Sequence, residues 1–396
     1  MHTVLTINSG SSSLRFALFR AGESLPQLLT GKFDRIGLSD ARLSFTDVLA
    51  NQSDERTVEV PNHVACVPSL VELLEKRSGV NAVTAIGHRV VHGGSRYRDP
   101  QPVDDAMIEE LRRISSFDPN HLPSAIALME GFAAKFTQVP QIACFDTSFH
   151  HTMPRVAKLL PIPRRYEAKG VQRYGFHGLS YAYLMEELSR LGDPAATTGR
   201  VILAHLGNGA SMAAVRAGQS MDPSMGFTPA AGLMMSTRSG DVDPGLVAFL
   251  GRSEQMTETQ FDRMIHHESG LLGVSEISSD MRDLLAREAT DVRAAEAVAL
   301  FCYQAKKWIG SFTAALGGLD TLVFAGGIGE KAPLVRTRIC EGLGFLGIEL
   351  NKARNAEGAA VISKDASRVA VRVICTDEEL MIARSVCRVL GLGVAR

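Results

Sequence analysis

The chain contains 396 residues, 45% of them hydrophobic and 21% charged, which is enough apolar material for two domains and argues against intrinsic disorder. Its 42 Lys and Arg balance 43 Asp and Glu, so it lacks the basic excess that nucleic-acid binding requires. No apolar run approaches the ~18–20 residues that span a bilayer, no secretory signal is visible, and the six cysteines have no CxxC spacing; we therefore expect a soluble cytoplasmic protein that binds neither nucleic acid nor a membrane.

Glycine-rich turns follow short apolar runs at three places in the chain. The apolar runs predict strands over residues 3–7, 14–19, 201–205, 211–215 and 322–325. Backbone N–H groups of such turns can converge on a phosphate, although ordinary hairpin turns have the same composition. Gly10 and Asn208, in the first two turns, lie 198 residues apart, which is half the chain. This spacing indicates two copies of one architecture.

Helical periodicity alternates with these strands. It predicts helices over residues 64–77, 105–114, 124–136, 179–191, 291–316 and 378–390. The alternation of strands and helices is typical of an α/β protein. The proline-containing stretch 153–163 is where we expect the chain to cross between domains, because proline is unfavourable inside helices and central strands.

Two familiar nucleotide motifs are absent or out of place. The chain contains no GxxxxGK[ST], which excludes a P-loop NTPase. A GxGxxG occurs at Gly342, Gly344 and Gly347, but it follows the helical-looking stretch 334–341. A dinucleotide site needs a strand before the glycines, so we do not assign one here.

Five charged or titratable residues stand in contexts that favour chemistry. Arg89 and Arg238 have small neighbours that leave a guanidinium open to carboxylate or phosphate oxygens, although each could form a surface salt bridge. Asp146 and Glu378 follow apolar strands, where a carboxylate can bind magnesium or serve a helix N-terminus. His177 lies between glycine-flanked aromatic residues and could equally be a histidine at the edge of the core.

Taken together, these segments resemble the acetate kinase family nearly from end to end. The matching segments are residues 8–14, 88–94, 145–147, 174–178, 205–209, 222–240 and 327–330. The resemblance implies an α/β fold of two ribonuclease-H-like domains, as in the acetate and sugar kinase/Hsp70/actin superfamily, with a nucleotide cleft between them. It implies an N-terminal domain of residues 1–150 plus 382–396, a C-terminal nucleotide-binding domain of residues 151–381, and a homodimer.

The implied reaction is reversible transfer of the ATP γ-phosphoryl group to acetate, giving acetyl phosphate and ADP, with Mg²⁺ (or Mn²⁺) as cofactor. By resemblance, Arg89 binds the substrate carboxylate, and His177 and Arg238 stabilise the transferring phosphoryl group. Asn8 and Glu378 help to hold the metal. The acyl group is implied to contact Val91, Phe176 and Pro229. The nucleotide is implied to contact Ser11, Ser13, Arg15, His205, Leu206, Gly207, Asn208, Gly209, Asp280, Met281, Arg282, Gly327, Ile328, Gly329, Glu330 and Lys331.

Asp146 matches a residue that is often described in the family as a proton donor and acceptor. Acetate is fully ionised near pH 7, because a carboxylic acid titrates near pH ~4–5, so the nucleophile needs no base. We therefore predict that Asp146 acts through the metal or by positioning.

The chain departs from the family pattern at several positions. Arg15 stands where the family usually has a lysine. Asp118 matches the family's active-site histidine in one loop, or that histidine is displaced to His121 through a shift of the loop. Leu179 and Tyr181 stand where the family has threonine and histidine, and Lys331 where it has asparagine. These differences are expected to retune the phosphate and nucleotide contacts.

Three alternatives stay open on the sequence. A propionate or other short-chain acyl kinase differs from an acetate kinase by methylenes worth only ~1 kcal/mol each. A sugar kinase of the same superfamily would use Asp146 as the base for a hydroxyl. An actin-like or Hsp70-like ATP-binding protein would share the fold without acyl phosphate chemistry.

Overall fold

The computed structural model describes residues 2–77 and 83–393, which form two compact units. Unit 1 contains the described residues through Ser148, the short segment Gly178–Ser180, and the described residues from Asp377 onward; unit 2 contains Phe149–His177 and Tyr181–Thr376. The chain leaves unit 1 after Ser148, before the stretch 153–163 where we expected the crossing, because a 3-10 helix over Ser148–Thr152 already carries it into unit 2. The domain boundaries given above remain a prediction.

The strands are distributed between the two units. In chain order they are β1 Thr3–Ser9, β2 Ser13–Arg20, β3 Gln27–Asp34, β4 Arg42–Asp47, β5 Gln52–Thr57, β6 Ala85–Val90, β7 Gln101–Pro102, β8 Gln141–Phe145, β9 Arg200–Leu206, β10 Ala210–Arg216, β11 Gln219–Pro223, β12 Thr321–Ala325 and β13 Ala370–Val373. The predicted strands are confirmed within a few residues, because each is an apolar run that is mostly buried.

The helices connect the strands in both units. They are α1 Cys66–Arg77, α2 Asp105–Arg113, α3 Leu122–Lys135, α4 Arg155–Lys158, α5 Gly178–Arg190, α6 Ala195–Thr198, α7 Gly245–Ser253, α8 Glu258–His267, α9 Gly270–Ser275, α10 Met281–Arg287, α11 Val292–Leu316, α12 Gly326–Lys331, α13 Pro333–Cys340, α14 Lys352–Glu357 and α15 Glu378–Leu390. The six predicted helices are confirmed as α1, α2, α3, α5, α11 and α15. None of the helices in the described part of the chain is long and apolar enough to cross a membrane.

The sheet of unit 1 has the strand order β5-β4-β3-β2-β1-β6-β8-β7. Strands β1, β6 and β8 are parallel neighbours, whereas β1 pairs antiparallel with β2. Helix α15 packs on this sheet at Gly87 of β6, where a Cβ would lie 2.4 Å from Ile382 and 2.7 Å from Val386. Glycine at this position therefore lets the last helix lie close against the strands.

Unit 2 repeats this strand pattern. Its sheet has the order β11-β10-β9-β12-β13, with three antiparallel strands followed by two that run parallel to β9. Unit 1 contains the same arrangement in β3-β2-β1-β6-β8. The repeat that was predicted from Gly10 and Asn208 is thus confirmed in the topology, since both residues lie at the turns of equivalent hairpins.

Three buried histidines make the stability of the fold sensitive to acid. Burial lowers the pKa of His88 to about 4, although a hydrogen bond to Gln141 opposes the shift. Burial likewise lowers the pKa of His92 and the pKa of His150 to about 4. An unfolded imidazole titrates near pH ~6.5, so the unfolded chain binds protons that the folded chain refuses between pH ~6.5 and 4.

We expect the free energy of unfolding to fall as the pH decreases through this window, by about 3 kcal/mol for each of the three histidines. Urea unfolding at a series of pH values measures this loss. His88→Gln should flatten the profile, and His267→Gln, which changes an exposed ring, should leave it unchanged. A wild-type stability that is constant between pH 6.5 and 4 would contradict the expectation.

Candidate active site

Three predicted residues of unit 1 lie together because of the parallel strands that carry them. Asn8 is near the end of β1, Arg89 near the end of β6, and Asp146 directly follows β8. The strands are paired in register, with Ile7 opposite His88 and Val90 opposite Phe145. The carboxyl ends of parallel strands meet at one edge of a sheet, which is where α/β proteins place their ligands.

Arg89 holds these groups together. Its Nε lies 3.1 Å from both carboxylate oxygens of Asp146 and its Nη2 lies 2.7 Å from Oδ2. Its Nη1 donates to Asn8 Oδ1 at 3.0 Å and lies 3.2 Å from Glu378 Oε2. The Asp146 side chain is 1% exposed and that of Arg89 is 16% exposed. The surface salt bridge that was left open for Arg89 is therefore wrong, because this pair is buried and bidentate.

The electrostatics of the pair follow from burial and from excess negative charge. Burial acts to lower the pKa of Arg89, but Asp146 and Glu378 outweigh it and raise that pKa. Burial raises the pKa of Asp146; Arg89 opposes this rise and Glu378 adds to it. The guanidinium therefore stays charged, and the carboxylate depends on it for stabilisation.

The first turn of α15 brings two further carboxylates to the same place. Asn8 Nδ2 donates to Glu378 Oε2 and to Glu379 Oε1, each at 2.9 Å, and Ser180 donates to Glu378 Oε1 at 2.6 Å. Asp377 caps the helix by accepting from Leu380 N, so the helix N-terminus that was left open as an alternative is also real. Sequence reasoning had not assigned Glu379; its signal was a second carboxylate in the first turn of a helix.

The loop that departs from the family pattern forms a carboxylate–imidazole pair in unit 1. His121 Nδ1 lies 2.8 Å from Asp118 Oδ1, and the Asp118 side chain is 3% exposed. His121 precedes α3 and, like Arg89, opposes the rise in the pKa of Asp146 that burial causes, so its ring lies within electrostatic reach of that carboxylate. Asp118 thus orients the ring of His121.

In unit 2, three chain segments bring His177, Gly209 and Arg238 together. His177 precedes α5 with a left-handed φ of 58°. A Cβ on Gly209 would lie 3.3 Å from His177 Nε2 and 3.7 Å from Arg238 Nη1. The His177 ring also lies 4.5 Å, between centroids, from that of His205. The backbone at Gly209 is therefore flanked by an imidazole and a guanidinium, a suitable arrangement for an anion.

The neighbouring acyl-pocket candidates are held through their backbones. Arg238 Nη1 donates to the carbonyl of Pro229 at 3.1 Å. The carbonyl of Phe176 lies 3.0 Å from Nε2 of the buried His150. Val91, which was predicted to share the acyl pocket, is a buried residue of unit 1.

Two glycine loops predicted to contact the nucleotide lie side by side at the ends of β9 and β12. Ala325 pairs with His205, and Gly326, at φ 73°, approaches so closely that a Cβ would lie 2.7 Å from Leu206 O. Glu330 accepts from the backbone N–H of Gly326 at 2.9 Å. The Glu330 side chain thus braces its own loop.

The remaining predicted residues have local surroundings. Asp280 caps α10 by accepting from Arg282 N at 2.8 Å and forms an ion pair with the Arg282 side chain. Arg15 lies opposite Asn8 in the β1–β2 hairpin and lines, together with Glu379, a cavity of about 650 Å³. Of the other members of the set, Ser11, Ser13, Gly207 and Asn208 lie at the two hairpin turns, Met281 begins α10, and Gly327, Ile328, Gly329 and Lys331 belong to α12.

Comparisons with known proteins identify the family of this chain. The model of the Acetokinase family matches residues 3–384. An acetate kinase of Rhodopseudomonas palustris is 43% identical over 98% of this chain and 99% of its own length, and a propionate kinase of Citrobacter rodentium is 41% identical over 98% and 97%. The crystal structure of a propionate kinase from Francisella tularensis covers 98% of this chain and all of its own, with a TM-score of 0.92 and 33% identity.

The two-unit α/β fold with its repeated sheet is that of the acetate and propionate kinases. The chain belongs to the Acetokinase family.

Proposed function

We propose that this protein is an acetate kinase, which transfers the γ-phosphoryl group of ATP reversibly to acetate and forms acetyl phosphate and ADP. The observation that carries the proposal is the pair of Arg89 and the buried Asp146 at the carboxyl ends of parallel strands, in a chain that matches the Acetokinase family from residue 3 to residue 384. Propionate is the second candidate substrate, because a propionate kinase is nearly as similar to this chain as an acetate kinase.

Four charged or titratable side chains are proposed to carry out substrate binding and phosphoryl transfer. Arg89 presents a permanently charged guanidinium to the substrate carboxylate. Asp146 orients that guanidinium through a bidentate ion pair. His177 and Arg238 donate to the phosphoryl oxygens, where negative charge is spread in the transition state. The carboxylate nucleophile is already ionised, so none of these residues needs to remove a proton.

The carboxylates that surround Arg89 in unit 1 suit a divalent metal. Asp146, Glu378 and Glu379 against Arg89 give a formal charge of −2 when all are ionised, and burial together with Glu378 raises the pKa of Glu379. Hard oxygen donors and excess negative charge match Mg²⁺, or Mn²⁺. We propose that Asn8 and Glu378, with Glu379, hold the metal, which would neutralise phosphate charge when bound.

His121 is proposed to supply the imidazole that the family has at the position of Asp118. His121 Nδ1 lies 2.8 Å from the carboxylate of the buried Asp118. Because Nδ1 is engaged there, Nε2 is the ring nitrogen that can contact a ligand.

Trapping the product with hydroxylamine tests the function directly. Only an acyl phosphate gives a hydroxamate, so ATP with acetate should yield acetohydroxamate, and ATP with propionate or butyrate should show how the pocket discriminates chain length. Turnover of ATP without hydroxamate over this panel would favour a sugar kinase or an actin-like or Hsp70-like ATP-binding protein.

A homodimer is proposed from the surface of α7. The helix has no buried residue, and it exposes Leu246, Val247 and Phe249, with Val242 just before it. Contiguous exposed apolar side chains of this kind mark protein interfaces.

The six free cysteines support the proposed cytoplasmic location, since free thiols suit a reducing compartment.

Introducing charge on α7 should separate the protomers. We expect Val247→Asp/Phe249→Asp to shift the protein from dimer to monomer, because two charges would be buried in an apolar interface. Sedimentation velocity measures the change, and Val156→Asp, at an exposed valine of α4, is the control. A monomeric wild type, or a double variant that stays dimeric, would refute the proposed interface.

A further inference from the structure

A chain of hydroxyl groups stands behind His177 in unit 2. His177 Nδ1 lies 2.8 Å from Ser211 Oγ, and Ser211 Oγ is hydrogen-bonded in turn to the hydroxyl of Tyr181. Tyr181 is fully buried and Ser211 is 1% exposed. Water therefore has little access to either hydroxyl, and the three side chains must satisfy one another.

The direction of these hydrogen bonds follows from the surroundings of Tyr181. Burial raises the pKa of Tyr181, so its phenol is protonated at neutral pH. The rings of Phe149 and His150 pack against Tyr181, with centroids 5.8 Å and 5.6 Å away. If Tyr181 accepted from Ser211, the phenolic proton would have to be buried among these rings; if it donates to Ser211, only an acceptor lone pair is left over. The second arrangement costs less, and a phenol is also a stronger acid than an alcohol.

When Ser211 Oγ accepts from Tyr181, the hydroxyl proton of Ser211 is still free to be donated, and the serine donates it to His177 Nδ1. Nδ1 is then an acceptor, so a neutral ring carries its proton on Nε2. A protonated ring would need Ser211 to accept from both neighbours, which strands the serine proton. Nε2 lies on the side of Gly209 and Arg238, where the proposed function places the phosphoryl group.

We propose that Tyr181 and Ser211 are positioning residues that fix His177 as the neutral Nε2–H tautomer, so that it serves as a hydrogen-bond donor to the transferring phosphoryl group. The donation from His177 to a phosphoryl group rests on the proposed function, whereas the assignment of the tautomer does not. We call the hydrogen-bonded series Tyr181–Ser211–His177 the hydroxyl relay. It depends on a feature of this chain, because Tyr181 stands where the family usually has histidine.

Nitrogen-15 NMR of the full-length protein labelled at histidine tests the relay without any assay of activity. The resonances of His177 are assigned by their loss in His177→Gln. We expect the neutral Nε2–H pattern in the wild type at pH 7, and a smaller Nε2–H fraction in Tyr181→Phe and Ser211→Ala. An Nδ1–H or doubly protonated His177 in the wild type, or the same pattern in all variants, would overturn the proposal.

Kinetics add a second readout. We expect Tyr181→Phe to lower kcat about 10-fold or more, with KM for acetate unchanged, because the wrong tautomer removes a donor to the transition state. Ser211→Thr keeps the hydroxyl and should retain most of the rate, and Tyr303→Phe, at an exposed tyrosine, is the control for loss of a phenol. Thermal melts identify a variant that fails to fold. If Tyr181→Phe does not fold, a comparison of kcat between Ser211→Thr, which keeps the hydroxyl, and Ser211→Ala, which loses it, tests the proposal instead.

The two readouts separate this proposal from the proposed function. A tautomer shift in Tyr181→Phe supports the relay even if no carboxylate is phosphorylated. Full kcat in Tyr181→Phe together with an unchanged tautomer overturns the relay and leaves the kinase assignment in place.

Discussion

Arg89→Ala is expected to lower kcat/KM for acetate by about 10³-fold or more. The guanidinium is proposed to bind the substrate carboxylate, and loss of a single oxyanion donor commonly costs ~10²–10³-fold. Its removal also leaves Asp146 and Glu378 without their cation. Steady-state kinetics by hydroxamate formation, with acetate varied at saturating ATP, measure the loss.

The same substitution should destabilise the protein by about 3–5 kcal/mol, because removing one partner of a buried ion pair strands the other. Arg89→Lys keeps the charge but loses the fork that spans both Asp146 oxygens, so we expect an intermediate rate. In Arg89→Ala/Asp146→Ala, stability should recover in part while activity stays low. If the single and double variants are equally stable, the two residues do not depend on each other.

Arg200 and Asp320 of unit 2 provide a matched control. They too form a bidentate pair, with Arg200 Nε 2.9 Å from Asp320 Oδ2 and Nη2 2.6 Å from Oδ1, but both side chains are more than a third exposed. Arg200→Ala should therefore change kcat/KM little. An equal loss of activity in both variants would show that damage to the fold, and not to the site, explains the effect of Arg89→Ala.

Asp146→Asn is expected to lower kcat/KM by about 10²-fold without changing the shape of the pH–rate profile. The amide keeps one acceptor for Arg89 but loses the charge that orients and balances the guanidinium. Acetate needs no base above pH ~5, so the variant should not become dependent on hydroxide. We also expect weaker Mg²⁺ activation, since the carboxylate contributes to the negative charge of the site.

Rate profiles from pH 5.5 to 9, with Mg²⁺ titrations at each end, measure both effects. Asp320→Asn removes the corresponding carboxylate from the control pair and should behave as the wild type. A new dependence of the rate on pH in Asp146→Asn, with Mg²⁺ activation intact, would mean that Asp146 transfers a proton in the reaction, and the positioning role would then be wrong.

Local sequence determined the central strands and the main helices. Strand β1 is buried at every position and α15 has a strong apolar stripe, so periodicity alone located both. By contrast, β5 reads Gln-Ser-Asp-Glu-Arg-Thr and has no apolar residue. It is a strand because β4 offers an edge to pair with, and a partner distant in sequence cannot be read from the strand itself.

The resemblance of short motifs indicated which residues carry the chemistry, but not what each contacts. Tertiary structure alone decided that Arg89 lies in a bidentate pair with Asp146 and that Glu379 joins Glu378 at Asn8. The hydroxyl relay from Tyr181 of helix α5 to His177 likewise passes through Ser211 of strand β10. Periodicity records which face of an element is buried, whereas hydrogen-bond partners separated by tens or hundreds of residues are chosen only when the strands and helices pack.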